Sequence, residues 1–429
     1  MMNYNIKLRK KDVSAWKMLM LFMISVYAQD TYSMYLYYAA VIILTVKNVV
    51  SWLMVKAYIK NKWLSIFVVI AFGVTTLSFV LRRVSWIEEA KAFCYVLILI
   101  DALFIYNQRP EVYEKGMKMI LGIIVISALY GIIEALVSYN VFEQYFVADY
   151  IRGYYGTALY RIASIFMHPI VCGQILLIGF WLVAFFYDRW KRVSCLIIIA
   201  LGIYYTKSRS IWGGLVFSIA ILVLVKMIEF FVKLFVKHRI QKRKLLYIPF
   251  TMVCIYFLYK MGMFDTIINS IYERILAASG STSELARQSM SMYTLNYMIH
   301  DASVLQKIFG YGMNSSKSWI YKSGAFVNAY DAIDNSYLTI MYEFGFVGLI
   351  TVVILIVKKI IECFCKNKST TKLNSASIMA IVACAVPFYF YDFYGWLPIY
   401  ILYIYCVVSS KASTYHITEC RENEKITNN

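Results

Sequence analysis

The charged side chains best placed for chemistry in this chain stand at the ends of apolar runs. The run Val193–Thr206 leads into Thr206-Lys207-Ser208-Arg209-Ser210. As a helix it would be about 14 residues, or roughly 21 Å, long, against a hydrocarbon core of about 30 Å. Lys207 and Arg209 are therefore expected in a dip below the outer membrane surface. Cations there are costly unless an anion or water meets them, and lipid-linked phosphates lie at that depth. The alternative is that both snorkel to head groups. A second cation opens the segment Arg161-Ile162-Ala163-Ser164-Ile165-Phe166-Met167-His168-Pro169. His168 titrates near neutrality and could act as a general acid or base. It could equally cap the helix that Pro169 begins, or face head groups. A third cation, Arg287, has Glu284 three residues earlier as a local partner. Arginine suits phosphates because its planar fork binds two oxygens and keeps its charge.

The acidic candidates follow. Asp334 and Asn335, in Asp331-Ala332-Ile333-Asp334-Asn335-Ser336-Tyr337, are both candidate N-caps of the next helix. The other reading of Asp334 is a carboxylate at the mouth of the dip, beside the cations, able to take a proton from a hydroxyl. Glu343 lies about two turns deeper, where a buried carboxylate needs a partner; pairing with an arginine is expected ahead of catalysis. Glu134 and Asp101 lie inside apolar runs near their ends and read as structural. Outward tyrosines such as Tyr150, Tyr154 and Tyr155 fit an interfacial aromatic belt; stacking on sugar rings is the other use for them.

The elements that must position these groups are membrane helices. Of 429 residues, 61% are hydrophobic and 16% charged, against about 45–50% apolar in a soluble domain. Mean hydropathy is +0.63. Apolar runs place about twelve spans: Val13–Ala28, Tyr32–Val55, Trp63–Leu81, Ala92–Tyr106, Lys118–Ser138, Phe166–Tyr187, Val193–Thr206, Ile211–Val232, Leu245–Met261, Ser336–Val357, Ala376–Tyr391 and Tyr394–Ser409. The expected fold is a single all-α polytopic membrane domain over residues 1–429. Residues 262–335 form a large extracytoplasmic loop, the one segment long enough for a small subdomain. There, Ser281 and Glu284 fit a capping box. Leu285, Met292, Leu295 and Ile299 mark one face of a helix lying on the membrane.

Every second connection is basic. Lys7, Arg9, Lys10 and Lys11 precede the first span, and Lys56, Lys60 and Lys62 follow the second. Arg109 and Lys115 follow the fourth; Arg189, Lys191 and Arg192 the sixth; Lys233, Lys237, Arg239, Lys242, Arg243 and Lys244 the eighth; Lys358, Lys359, Lys366, Lys368 and Lys372 the tenth. By the positive-inside rule both termini are cytoplasmic, and Tyr139–Ile165, Lys207–Ser210 and Gly262–Asn335 lie outside. The net charge of +19 is thereby read as topology rather than nucleic-acid binding. A β-barrel would need runs of about 10 alternating residues. The first span has a basic lead and loosely fits a signal peptide at Val26-Tyr27-Ala28, but a retained anchor is expected. No fixed-period repeat is evident, which disfavours a transporter built from repeated halves. The nine cysteines avoid the outward segments, so no disulfide framework is expected. Cys363-Phe364-Cys365 is too close-spaced, and lacks partners, for zinc. Walker, GxGxxG and HExxH motifs are absent, so neither metal nor cofactor is expected.

In this order and spacing the motifs resemble the O-antigen ligase/polymerase family of bacterial envelope biosynthesis. Arg161 through Pro169 resembles the family's arginine segment ending in a proline at a helix start. Thr206 through Ser210 resembles its Ser-Arg turn, and Phe309-Gly310-Tyr311-Gly312 its Gly-x-Gly element. Asp334-Asn335-Ser336-Tyr337-Leu338, followed by Glu343-Phe344-Gly345-Phe346-Val347-Gly348-Leu349, resembles its closing motif. The resemblance covers Arg161 to Leu349. It implies a metal-independent membrane glycosyltransferase of the helical, GT-C-like type in the plasma membrane. Such an enzyme acts on oligosaccharides carried by undecaprenyl pyrophosphate. Polymerases join repeat units into capsular or O-antigen polysaccharide, alongside membrane lipids, a flippase and a chain-length regulator. Ligases pass a finished glycan to an acceptor and carry a histidine in the closing motif, where this chain has Asp334-Asn335; that favours polymerase. The resemblance implies that Arg161, Arg209 and Arg287 hold the donor pyrophosphate and that Asp334 orients or deprotonates the acceptor hydroxyl. His168, Lys207, Asn335 and Glu343 would contact substrate. The alternatives are ligase-type transfer and, in another class, a polysaccharide flippase.

Overall fold

The computed structural model describes residues 2–28, 31–54, 86–143, 156–157, 160–237, 282–323, 333–364, 371–392 and 395–410, with a few isolated positions between 73 and 80. Among them every regular element is helical. The first seven are α1 (Met2–Tyr27), α2 (Thr31–Met54), α3 (Trp86–Gln108), α4 (Pro110–Val137), α5 (Pro169–Phe186), α6 (Arg189–Tyr205) and α7 (Arg209–Lys237). In the large loop, α8 (Thr282–Asn296) runs into a π-helical turn (Tyr297–Asp301), followed by α9 (Val304–Phe309) and α10 (Ser315–Ser323). The chain then returns through α11 (Ser336–Phe364), α12 (Lys372–Cys384), α13 (Pro387–Phe390) and α14 (Leu397–Ser409).

Six helical segments are long and apolar enough to cross a membrane, and Val13–Tyr27 and Leu397–Ser409 are shorter apolar helices. The chain is a multi-pass membrane protein. Ten of the twelve expected runs fall on helices. The run Leu245–Met261, nearly all of Trp63–Leu81, the Ser281–Glu284 box and Tyr150, Tyr154 and Tyr155 lie outside the described residues. Four of the five prolines, Pro110, Pro169, Pro387 and Pro398, sit in first turns, where the missing N–H costs nothing.

Three details differ from expectation. The helix expected over Val193–Thr206 begins at Arg189 and has 17 residues, about 26 Å. Its extra turn carries Arg189, Lys191 and Arg192, so the apolar stretch is no longer than before. The tenth span breaks at Gly345 (φ 65°, ψ −168°). Most of the stripe on α8 is turned away from the protein. Leu285, Met292 and Ile299 are exposed, while Leu295 of the expected stripe is half-buried against the loop's core, where Met290, Thr294 and Met298 face inward. With the exposed Val304 and Leu305, that stripe suits a membrane surface.

α5 is the central helix. It is apolar all round and buried along most of its length, as a helix surrounded by others must be. It packs on α12, α6 and α4. Ala376, Ser377, Ala380 and Ala383 line α12, and such small side chains let membrane helices approach closely. Lys17 of α1 and Asp101 of α3 form a buried ion pair, and Asn48 of α2 donates to Asp101 at 2.8 Å. At one end of the bundle, Lys372 and Arg192 both reach Asp188 (3.1 and 3.3 Å) and Lys359 donates to the Ser410 carbonyl at 2.9 Å. At the opposite end, segments 160–168, 206–209, 333–337, 391–392 and 395–396 come together. The described part of the loop has its own small core of Met290, Met298, Tyr311, Ile320, Met341 and Tyr342.

If the basic end is cytoplasmic, a cysteine replacing Leu305 (71% exposed) should react with an impermeant thiol reagent on intact cells, in a background without native cysteines. A cysteine replacing Trp190 (82% exposed) should react only after lysis. The reverse labelling would invert the orientation.

Candidate functional site

Glu134, on α4, is buried. Its Oε1 accepts from the Tyr160 hydroxyl (2.7 Å) and the Ala163 N–H (3.0 Å), and its Oε2 from the Ser164 N–H (2.7 Å). Asn140 donates to the Ser164 carbonyl at 2.9 Å, and the Ser164 hydroxyl donates to the Ser127 carbonyl at 2.7 Å. These bonds hold segment 160–168 in a bent path with left-handed backbone at Ser164 and Met167. The path brings it against the α6–α7 turn, where Ile162 N–H donates to the Tyr205 carbonyl at 3.3 Å. Arg161 Nε donates to the Thr206 carbonyl at 2.9 Å, one of the acceptors left over at a helix C-terminus. Lys207 follows in left-handed backbone (φ 49°). Arg209 is exposed on the first turn of α7.

His168 is the N-cap of α5. Its Nδ1 accepts from the Ile170 N–H at 3.1 Å. The ring stacks on Tyr391 (centroids 5.5 Å apart) and lies 5.4 Å from Trp396. Burial, and then the charges of Arg161 and Arg287, push its pKa down to about 3. It is therefore neutral at physiological pH. With Nδ1 accepting, its proton sits on Nε2, so the ring offers a donor and no basic nitrogen.

Arg287 meets Asp334 rather than serving only its own helix: Nε donates to Oδ2 at 2.9 Å. Asp334 is buried in left-handed backbone (φ 50°). The cap of α11 is Asn335, whose side-chain oxygen accepts from the Tyr337 and Leu338 N–H groups (3.0 and 3.2 Å). That engagement makes Asn335 the cap of α11, one of the two candidates for it. Glu343 is also corrected. Its partner is Ser316, whose hydroxyl donates at 2.7 Å, and not an arginine. It is 1% exposed and lies about 13 Å along the helix from Asp334, so it belongs to the frame and not to the cation cluster.

The break at Gly345 explains how the loop is held. Interrupting the helix releases the carbonyls of Tyr342 and Glu343, which accept from the Tyr311 and Gly312 N–H groups at 3.0 and 2.9 Å. Gly310 (φ 78°) and Gly345 (φ 65°) are pressed backbone to backbone. A Cβ on either would come within 2.3 Å of main-chain atoms of the other segment. The Gly-x-Gly element and the closing motif are thus one docking unit.

Asp392 was not among the candidates. It lies between α13 and α14, with Ser336 Oγ 3.4 Å from its Oδ1. Burial, and then the nearby Asp334 carboxylate, push its pKa up to about 6. The sequence did carry a signal: an acid in the short outer turn between the last two spans. Among the described residues no group of three His, Cys, Asp or Glu side chains could hold a metal ion.

A family model described as O-Antigen ligase matches residues 194–353. The match covers 160 of the 429 residues and marks that stretch as similar to the O-antigen ligase family. No curated protein and no solved structure matches the chain. The matched stretch holds the 206–210 turn, Arg287, the glycine docking unit and Asp334. Arg161 and His168 are brought to it from the N-terminal side by Glu134, and Asp392 from the C-terminal side.

Glu134→Gln would turn an amide donor toward one of the N–H groups, and Glu134→Ala would strand three donors, at about 1–3 kcal/mol each. The melting temperature of the purified protein should fall for both, further for alanine, with faster hydrogen exchange at Ala163 and Ser164. An unchanged melting temperature in Glu134→Ala would show that segment 160–168 is held by other means.

Proposed function

We propose that this protein is a plasma-membrane glycosyltransferase that polymerises undecaprenyl-pyrophosphate-linked repeat units into capsular or O-antigen polysaccharide at the outer face. The observation that carries this reading is the meeting of Arg161 and Arg287 around a neutral His168, at one end of the bundle. The N-termini of α5, α7 and α11 lie at that same end. Helix N-termini add positive potential, and Arg209 and Lys207 extend it. The family match supports action on a lipid-linked glycan.

In the proposed reaction an acceptor sugar hydroxyl attacks the anomeric carbon of the donor. A glycosidic C–O bond forms, and the bond from that carbon to the pyrophosphate oxygen breaks. The arginines stabilise charge gathering on the pyrophosphate. The Nε2–H of His168 adds a neutral donor. The hydroxyl proton passes to a carboxylate. Asp334 is engaged by Arg287 and orients the acceptor; Asp392, held near neutrality, is the better proton acceptor. Ligase-type transfer is the second reading, favoured by the description of the family.

Deleting the protein and running the extracted polysaccharide on a gel separates the classes. Loss of the ladder with one repeat retained supports a polymerase. Full-length chains left on the carrier lipid mean a ligase, and no exported material means a flippase.

Arg209→Ala should abolish polymer at normal protein level, and Arg209→Lys should be partly active, because lysine keeps the charge but loses the fork. Wild-type polymer from Arg209→Ala would remove the pyrophosphate contact.

A carboxylate must be deprotonated to act as a base, so activity should rise with pH through about 6 and then level off. Asp392→Asn should cost about 10²–10⁴-fold and erase that acid limb. A limb that persists in Asp392→Asn would exclude the role.

A further inference from the structure

An open pocket lies beside the small core of the loop. It holds about 360 Å³ and is lined by Tyr297, Asp301, Gln306, Tyr311, Ser315, Trp319 and Tyr342. Small-ligand pockets run from roughly 300 to 1,000 Å³, so this one suits a mono- or disaccharide rather than a long chain. Tyr311 stacks on Tyr342 with centroids 4.7 Å apart, and Trp319 stacks on Tyr342 at 4.6 Å. The Tyr297 and Tyr311 hydroxyls are 2.9 Å apart, and Tyr311 donates to Gln306 Oε1 at 2.9 Å. The aromatic wall is therefore fixed before any ligand arrives.

Two uncommon backbone features deliver these side chains. The π-helical turn, of a kind often found at functional sites, carries both Tyr297 and Asp301. The glycine docking unit carries Tyr311 and Tyr342.

The chemistry of the walls selects the ligand. Among the described residues the lining holds no cation and one carboxylate, Asp301, which disfavours phosphate and other anions. Flat aromatic surface matches the C–H faces of a sugar ring, while carboxylate and amide oxygens match its hydroxyls. We infer that this cavity is a subsite for a neutral pyranose unit of the glycan, separate from the pyrophosphate site. The inference rests on the glycan substrate proposed above and adds where one sugar is held. The two sites share their supports. α8 and the first part of α11 run side by side, joined by Arg287–Asp334 near their starts and by Tyr297 and Tyr342 eight to ten residues on. That is about 12–15 Å of helix, a few sugar units from the reacting end.

The test is saturation-transfer difference NMR on the full-length protein in nanodiscs. Aromatic protons are irradiated in the presence of methyl glycosides of glucose, galactose, N-acetylglucosamine or N-acetylgalactosamine, or of glucuronic acid. Ring C–H protons of at least one neutral glycoside should receive saturation, and glucuronic acid should receive less. Asp301 is exposed, so Asp301→Ala should fold, and it should weaken the signal at least about tenfold; Trp319→Ala should do the same. Arg209→Ala should leave it unchanged. No saturation of any neutral glycoside, a stronger signal from glucuronic acid, or an undiminished signal in Asp301→Ala would overturn the subsite. Because this reads binding without turnover, a silent cavity in a protein that loses polymer with Arg209→Ala sinks the subsite alone. A glycoside signal in a protein that keeps polymer with Arg209→Ala sinks only the pyrophosphate contact.

Discussion

A carboxylate buried in a membrane domain must find donors, and Glu134 finds three of them on one incoming segment, with the Asn140 side chain beside them. The 160–168 segment is thereby drawn down against α4. The rest follows in sequence. Ile162 pairs with the end of α6, Arg161 closes on the Thr206 carbonyl, and His168 arrives at the head of α5 as its cap. A buried carboxylate is often a liability. Here its cost is offset by donors that would otherwise be unsatisfied themselves. The result is a cation whose position is set from inside the bundle rather than from a mobile surface.

The second constraint is the break in α11. A glycine in a helix interior costs about 1 kcal/mol relative to alanine, and one with left-handed φ ends the regular ladder altogether. The carbonyls it releases are what bind the Gly-x-Gly element. The large loop is thus tied to the membrane domain by main-chain bonds, and those bonds are independent of side-chain identity apart from the two glycines. This tie and the Arg287–Asp334 pair lie at opposite ends of the same short helical stretch. The loop cannot shift against the cation cluster without breaking one of them.

Much of this was legible in the sequence, for physical reasons that also mark its limits. Apolar length located the helices because backbone groups in lipid must be satisfied internally. It also exposed the short approach to Lys207 and Arg209. Charge beside apolar runs singled out Arg161 and Asp334, and an arginine in the helix of the long loop singled out Arg287. What a pattern cannot give is the partner. The donors to Glu134 lie 26 to 30 residues away, so it read as merely structural when it positions the cluster. Glu343 was expected to need an arginine because burial demands a partner; a serine hydroxyl from α10 meets it instead. Asp392 lies beyond the resembling motifs and joins the site only because α13 ends beside the start of α11. Of the stripe on α8, Leu285, Met292 and Ile299 share an exposed side, and Leu295 turns to the loop's core.

The electrostatics of the cluster explain why it tolerates its own charges. Arg161 rests on a helix C-terminal carbonyl, and Arg287 on Asp334. Between them His168 stays neutral, since a third positive charge would meet two arginines at close quarters with burial added. Asp334, already paired, raises the cost of ionising Asp392 beside it. One carboxylate is therefore committed to a cation while its neighbour takes up a proton more readily than an ordinary carboxylate does. That asymmetry is what acid–base chemistry asks of two adjacent acids. An arriving dianion would compete with Asp334 for Arg287, and Asp334 then holds in the resting state the place that the anion's oxygens would take. The pairing that stabilises the empty site and the pairing that binds the substrate are, on this reading, the same interaction made in turn.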